Sequence, residues 1–233
     1  LFRSFCTEEH IAFRLIPFDR EEKRLSTLEE CIDESILKRG VDGIVSTNAI
    51  HLYYELNNTI NSWKKILRPD GYLHVQSGNI RNPKNRNSWI IDETVEHLNN
   101  AAIRLVNSQD SFLSLRNFLD DDDHMEAHDK LRQKYFLPVR ELEYYTKSLE
   151  ENGFTIKDIQ CHPINASVDE WYDFLSVYHE GVLGWVGGAE KVYNQKVSSH
   201  FISLRKALMR LAMEDIFNGS DSFQAAWTYI NAS

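Results

Sequence analysis

Apolar and polar positions along the first eighty residues read as strand, helix, strand, helix, strand. His10 to Phe18 (HIAFRLIPF) places Ile11, Phe13 and Leu15 on one face, the period of two of a strand, and Pro17 sends the chain out into Asp19. Ser26 and Glu29 have capping-box spacing, and Leu28, Cys31, Ile32 and Leu37 form a helical stripe that Gly40 stops. VDGIVST over 41–47 is a short, nearly continuous apolar strand. Leu56, Ile60, Trp63, Ile66 and Leu67 then repeat at helical spacing until Arg68-Pro69-Asp70-Gly71 turns the chain into the strand YLHVQS over 72–77. This alternation predicts an α/β fold with a parallel, doubly wound sheet.

In such sheets ligands are met outside the carboxyl ends of the strands, which here are Asp19, Thr47 to His51 and Gln76 to Asn79. Residues 88–149 change character: charged helices, the acidic run Asp120 to Asp123 and no strand signal. They read as a helical lid inserted without a core of its own into one domain over 1–233. After Gly153 the pattern returns to a strand, FTIKDIQ over 154–160. An aromatic helix (Trp171, Tyr172, Phe174, Leu175, Tyr178), a helix near 204–217 and the closing FQAAWTYI over 223–230 follow.

Composition narrows the function. Hydrophobic residues make up 42% and charged residues 26% of 233, a balance that excludes disordered and low-complexity classes. Lys and Arg number 26 against 35 Asp and Glu, and the net charge of −9 argues against a nucleic-acid partner. Cys6, Cys31 and Cys161 have no CxxC spacing, which fits reduced thiols of a cytoplasmic protein. No apolar run approaches the ~18 residues of a membrane span, and the opening residues lack the order of a signal peptide.

The stretch 41–77 resembles class I S-adenosylmethionine-dependent methyltransferases. In that family a strand ends in a small, polar, Asn-containing segment, followed by an Ala-Ile-His-like turn, a helix, and a Leu-x-Pro-Gly-Gly turn into the next strand; here the last element reads Leu67-Arg68-Pro69-Asp70-Gly71. GFTIKDI over 153–159 and the closing WTYI are similar to later strands of the family. The family's glycine-rich loop and the acidic residue ending its second strand have no counterpart before His10, so the first strand here resembles the family's third. Together with the start at Leu1, this implies a domain cut from a longer polypeptide. Similar segments occur in methyltransferase domains of polyketide synthase loading modules.

The resemblance implies a Rossmann-like sheet with a lid, and S-adenosylmethionine as cofactor. Phe18 and Asp19 would lie beside the adenine, and Ser46, Thr47, Asn48 and Ala49 around the methionine part. It further implies methyl transfer to an acyl acceptor, malonyl among them, either a small molecule or carried on an acyl carrier protein, with neighbouring domains as partners. The alternative is a non-catalytic methyltransferase-like module that holds its neighbours in place.

His51 and Gln76 end neighbouring strands and are expected to face one crevice as the catalytic pair, His51 acting as general base or hydrogen-bond donor. In a metal reading, His51, Gln76 and His179 hold a divalent or trivalent first-row ion such as iron or manganese that polarises a malonyl group. The plainer alternatives are that Asp19 caps a turn and that His179, in VYHEGVLGWVGG, is a core histidine. Arg140, after Tyr135-Phe136-Leu137-Pro138, meets a substrate carboxylate or makes a surface salt bridge, and Tyr178 roofs a substrate pocket with Trp171 and Phe174 or packs the core. His124 and His128 share a helical face, but the displaced Glu126 and the aspartates before them read as a solvated lid rather than a zinc site.

Overall fold

This computed structural model describes residues 16–53 and 55–233. Most of the strand expected over 10–18, and Cys6, lie outside the described residues. The chain runs through β1 (Phe18–Asp19), β2 (Arg24–Leu25), α1 (Leu28–Cys31), α2 (Glu34–Arg39), β3 (Val41–Thr47), α3 (Leu56–Ile66) and β4 (Leu67–Ser77). There follow β5 (Ile80–Arg81), α4 (Glu93–Ser108), α5 (Arg116–Leu119), α6 (Asp122–Tyr135), β6 (Arg140–Glu141) and α7 (Leu142–Glu151). Next come β7 (Ile156–Ser167), α8 (Val168–Val177), α9 (His179–Leu183), α10 (Glu190–Tyr193), α11 (Ser199–Ile216) and β8 (Ser222–Ala232). The fold is α/β. Its main sheet has the order β3-β4-β8-β7, and β3 and β4, joined through α3, are parallel as expected. Among the described residues no helix is long and apolar enough to cross a membrane, and Cys31 and Cys161 are free thiols.

The chain divides into two compact units. Of the described residues, unit 1 holds those of 16–76, 143–160 and 229–233, and unit 2 holds 77–142 and 161–228. In unit 1, α3 buries Leu56, Ile60, Trp63 and Ile66, the predicted stripe, and β4 buries Leu73 and Val75. The helix expected from Ser26 to Gly40 is two short helices, and its cap is displaced by one residue. Thr27 is the N-cap, and its N–H donates to the Glu30 carboxylate at 2.7 Å. Glu30 also accepts from both terminal guanidinium nitrogens of Arg24, at 3.0 and 2.9 Å, whereas Glu29 accepts from Lys65 at 2.9 Å. Gly40 ends α2 at φ 71°, where a Cβ would stand 2.8 Å from the Arg68 side chain. The partner of β3 jumps from Leu67, opposite Val41, to Tyr72, opposite Gly43. The Arg68-Pro69-Asp70-Gly71 turn is therefore a bulge inside one long strand.

Unit 2 has its own core. Leu98, Ala101, Ala102 and Val106 of α4 and Leu208, Met209, Ala212 and Met213 of α11 are buried in one cluster with Trp185 and Phe217. The small residues at 101, 102 and 212 let the helices approach closely. The segment 88–149 is thus divided differently from the expected lid: α4 to α6 belong with residues 161–228, and α7 belongs to unit 1. Its apolar stripe is completed by helices that follow it in the chain. Replacing the fully buried Leu98 by alanine should cost roughly 2–5 kcal/mol. A lowered urea midpoint with unchanged slope, measured on the full chain, is the expected readout.

Candidate functional site

The carboxyl end of β3 is built by its pairing with β4. Thr47 stands opposite Gln76, and the Asn48 N–H donates to the Gln76 carbonyl at 2.7 Å. The chain then turns at once, which places Asn48 at φ 48°, a left-handed conformation that asparagine tolerates better than most residues. A single 3₁₀ turn over Ile50–Leu52 follows and buries Ile50 and His51.

Beside this strand end lies a pocket of about 920 Å³. Phe18, Ser46, Thr47 and Ala49, four of the residues expected at the cofactor, line it with Leu28, Tyr53 and Trp63 among others. Ser46 is 6% exposed, and its Oγ has no hydrogen-bond partner among the described residues. The Thr27 hydroxyl, from another residue of the lining, is taken up in the capping box with Glu30. A group like the Ser46 hydroxyl normally finds a partner, and a polar ligand or a water in the pocket would supply one. Asp19 and Asn48 are not part of the lining. One Asp19 carboxylate oxygen accepts from the N–H groups of Glu21 and Glu22 at 2.8 and 3.0 Å, the turn-capping alternative for this residue.

His51 is 8% exposed, and burial pushes its imidazole down to about 4. It is neutral at pH 7 and a weak proton acceptor, suited to hydrogen bonding rather than to half-ionised acid–base work. The Gln76 amide donates to the Tyr229 hydroxyl at 3.4 Å.

His179, Tyr178 and Arg140 belong to unit 2. Tyr178 continues a row of rings: Trp171 stacks on Phe174 at 5.1 Å between centroids, Phe174 meets Tyr178 at 4.9 Å, and Tyr135 closes on Tyr178 at 5.9 Å. Arg140 opens β6, which pairs in parallel with β5 so that Ile80 is opposite Arg140. The Nδ1 of His179 lies 3.1 Å from the Arg205 guanidinium, whose nitrogens are all donors. Nδ1 is therefore the acceptor, and the neutral ring carries its proton on Nε2, where a metal would need a lone pair. His179 does not fit the metal set with His51 and Gln76, and among the described residues no three His, Cys, Asp or Glu side chains could together hold an ion.

His124 and His128 hold a loop. The His124 ring binds the Trp185 carbonyl at 2.7 Å and the Tyr193 hydroxyl at 2.8 Å. The Ala189 N–H donates to Nε2 of His128 at 3.1 Å, so Nδ1–H of that ring donates to the His124 carbonyl at 2.7 Å. The residues that sequence reasoning missed are Asp92 and Arg205. Asp92, just before α4, is pushed up to about 6 by burial, against an opposing hydrogen bond from Asn79. Arg205 is fully buried on α11. Its signal was a charge at a stripe position between Phe201 and Leu208.

No family model matches the chain, and no curated protein matches it. Solved structures do resemble it. A candidate methyltransferase of Bacillus halodurans is 13% identical, with 83% of this chain and 64% of that chain covered at a TM-score of 0.41. The YcgJ protein of Bacillus subtilis gives 13%, 83%, 63% and 0.41, and the cyclopropane synthase MmaA2 of Mycobacterium tuberculosis gives 16%, 84%, 58% and 0.35. The chain spans less than two-thirds of the length of each. The functional reading rests on the pocket and its lining.

The His51 environment predicts an acid response. Its folded-state value lies below the unfolded one near 6.5, so the unfolded chain takes up the proton first as the pH falls. Stability is lost from about 6.5 down to about 4, by up to ~3 kcal/mol, and is flat above that window. Asp92, raised in the fold, contributes in the opposite sense between 3.8 and about 6. The His51 share is therefore read as the difference between wild type and His51→Gln in urea titrations at stepped pH. A variant with the same acid slope as wild type would contradict the assignment.

Proposed function

We propose that this chain transfers a methyl group from S-adenosylmethionine to an acyl acceptor, either a small molecule or a group carried on an acyl carrier protein within a longer assembly. The observation that carries the reading is the pocket at the carboxyl end of β3, lined by Phe18, Ser46, Thr47 and Ala49 and holding the orphaned Ser46 hydroxyl. Its volume falls in the ~300–1,000 Å³ range of small-molecule sites. The residues fit the cofactor: small side chains at 46, 47 and 49 let the backbone approach its amino-acid part, and Phe18 offers a ring face to a flat base. The bound cofactor would supply a methyl group made electrophilic by its sulfonium. His51 and Gln76 are outside the lining of the pocket; His51, neutral at pH 7, would orient the acceptor by a hydrogen bond, and Gln76 would offer it an amide.

Calorimetric titration of S-adenosylhomocysteine into the protein tests this directly. Saturable binding is expected, and Thr47→Trp, which fills the pocket, should weaken it roughly ten-fold or more, ~1.4 kcal/mol. His51→Ala should leave that affinity within a few-fold while lowering turnover of a malonyl thioester. Absence of binding by the wild-type chain would favour the reading as a non-catalytic module that holds its neighbours.

A further inference from the structure

The loop Gly184–Ala189 of unit 2 is held by Arg205, a buried cation met by neutral acceptors. Its Nε donates to the Val186 carbonyl at 2.8 Å, and Nη2 donates to the carbonyls of Gly184, at 3.2 Å, and Gly188. The remaining terminal nitrogen, Nη1, points at Nδ1 of His179. Among the described residues no carboxylate pairs with Arg205. The Nε2–H of His179 has no hydrogen-bond partner among them either, and the ring is half-buried. The charged groups facing this ring are Arg205 and Lys206 of α11 on the positive side and Glu180 of α9 on the negative. Glu180 accepts from the backbone N–H of Glu190 at 3.1 Å, whereas the Lys206 ammonium has no ion pair among the described residues.

We propose that His179 is the donor of an anion site in unit 2: its Nε2–H, polarised by the Arg205 guanidinium behind it, takes one oxygen of a ligand carboxylate, with attraction from Lys206. The logic is that of an aspartate–histidine pair with the charge reversed. A carboxylate behind an imidazole makes the ring more basic; a guanidinium there makes the far N–H a stronger donor and suppresses protonation of the ring. On a protein of net charge −9, two basic side chains, Arg205 and Lys206, facing one partly exposed imidazole against the single carboxylate of Glu180 make a local exception that selects an anion. The inference does not rest on the methyl-transfer reading.

Imidazole ¹H–¹⁵N spectra of the full chain near neutral pH test it, with acetate as probe and acetamide as its uncharged isostere. His179 should appear as the Nε2–H tautomer, and acetate should move its Nε2–H resonance along a saturating curve at least several-fold steeper than acetamide does. Arg205 is buried, and a variant there invites unfolding, so the decisive pair is at position 179. Gln places an amide N–H near the Nε2 position, and His179→Gln should keep the acetate response of the Tyr178 and Glu180 backbone amides within a few-fold. His179→Asn reaches only the Nδ1 position and should lose it. Lys206→Met should weaken acetate several-fold. An Nδ1–H tautomer, or an acetate response no larger than that of acetamide, overturns the proposal. Neither readout needs the cofactor, so failure here leaves the methyl-transfer reading standing, and failure to bind S-adenosylhomocysteine leaves this one.

Discussion

The parallel pairing of β3 with β4 is the constraint on which the rest of unit 1 depends. Thr47 stands opposite Gln76, the Asn48 N–H makes the last bond of the ladder to the Gln76 carbonyl, and the chain leaves the strand at that residue. Asn48 makes the turn in the left-handed region, where a β-branched residue would be strained. The reversal feeds the 3₁₀ turn that buries Ile50 and His51, and burial in turn keeps the imidazole neutral. The position of Ser46 and Thr47 at the pocket, the sharp turn and the protonation state of His51 are successive consequences of one ladder.

Unit 2 solves a different problem, how to hold a loop rich in glycine. Gly187 sits at φ 79°, and a Cβ there would fall 2.2 Å from the Phe201 ring, so any other residue must displace an aromatic from the core. Trp185 and Val186 anchor it by apolar burial, but its glycines have no side chain to cover the backbone polar groups around them. Its carbonyls and N–H groups are taken instead by Arg205, His124 and His128. Placing a cation under three carbonyls works because the carbonyl dipoles point their negative ends at it, so the charge is solvated by backbone rather than by a counter-ion. The same guanidinium reaches Nδ1 of His179 at 3.1 Å, so the network ends at that half-buried ring.

Much of the fold was legible in the chain because it is written in short-range periodicity. The α3 stripe, the apolar run of β3 and the β7 and β8 strands each declare themselves within a dozen residues. What the pattern hides is partnership. The stripe on α4 shows that one face is buried but not that α11, about a hundred residues later, covers it, so residues 88–149 read as an insertion lacking a core. The unit boundaries at 76/77, 160/161 and 228/229 fall inside β4, β7 and β8, where a continuous strand pattern offers no change of composition to mark them. The capping box slipped by one residue because Ser26-Glu29 and Thr27-Glu30 both have the spacing, and only Arg24, brought alongside Glu30 by β2, separates them. Phe18, Ser46, Thr47 and Ala49 were accessible to reasoning because strand ends can be located locally. The state of His179 was not, because it is set by Arg205 twenty-six residues away.

The character of the pocket bears on what it can hold. Ile16, Phe18, Leu25, Val45 and Leu52 are exposed large apolar residues, and all five line the same concavity, with Val45 62% exposed. Scattered singly, exposed apolar side chains need no explanation, but five converging on one pocket define a face that gains free energy when covered. Against them stand the hydroxyls of Ser46, which lacks a partner, and Thr27, and the cations Lys23, Arg24 and Lys65. A purely apolar occupant would leave the Ser46 hydroxyl unsatisfied, and a purely polar one would leave the apolar face wet. A ligand with a flat aromatic base at one end and a zwitterionic amino acid at the other would offer a partner to each set of groups, and this mixed character is what the proposed reading draws on.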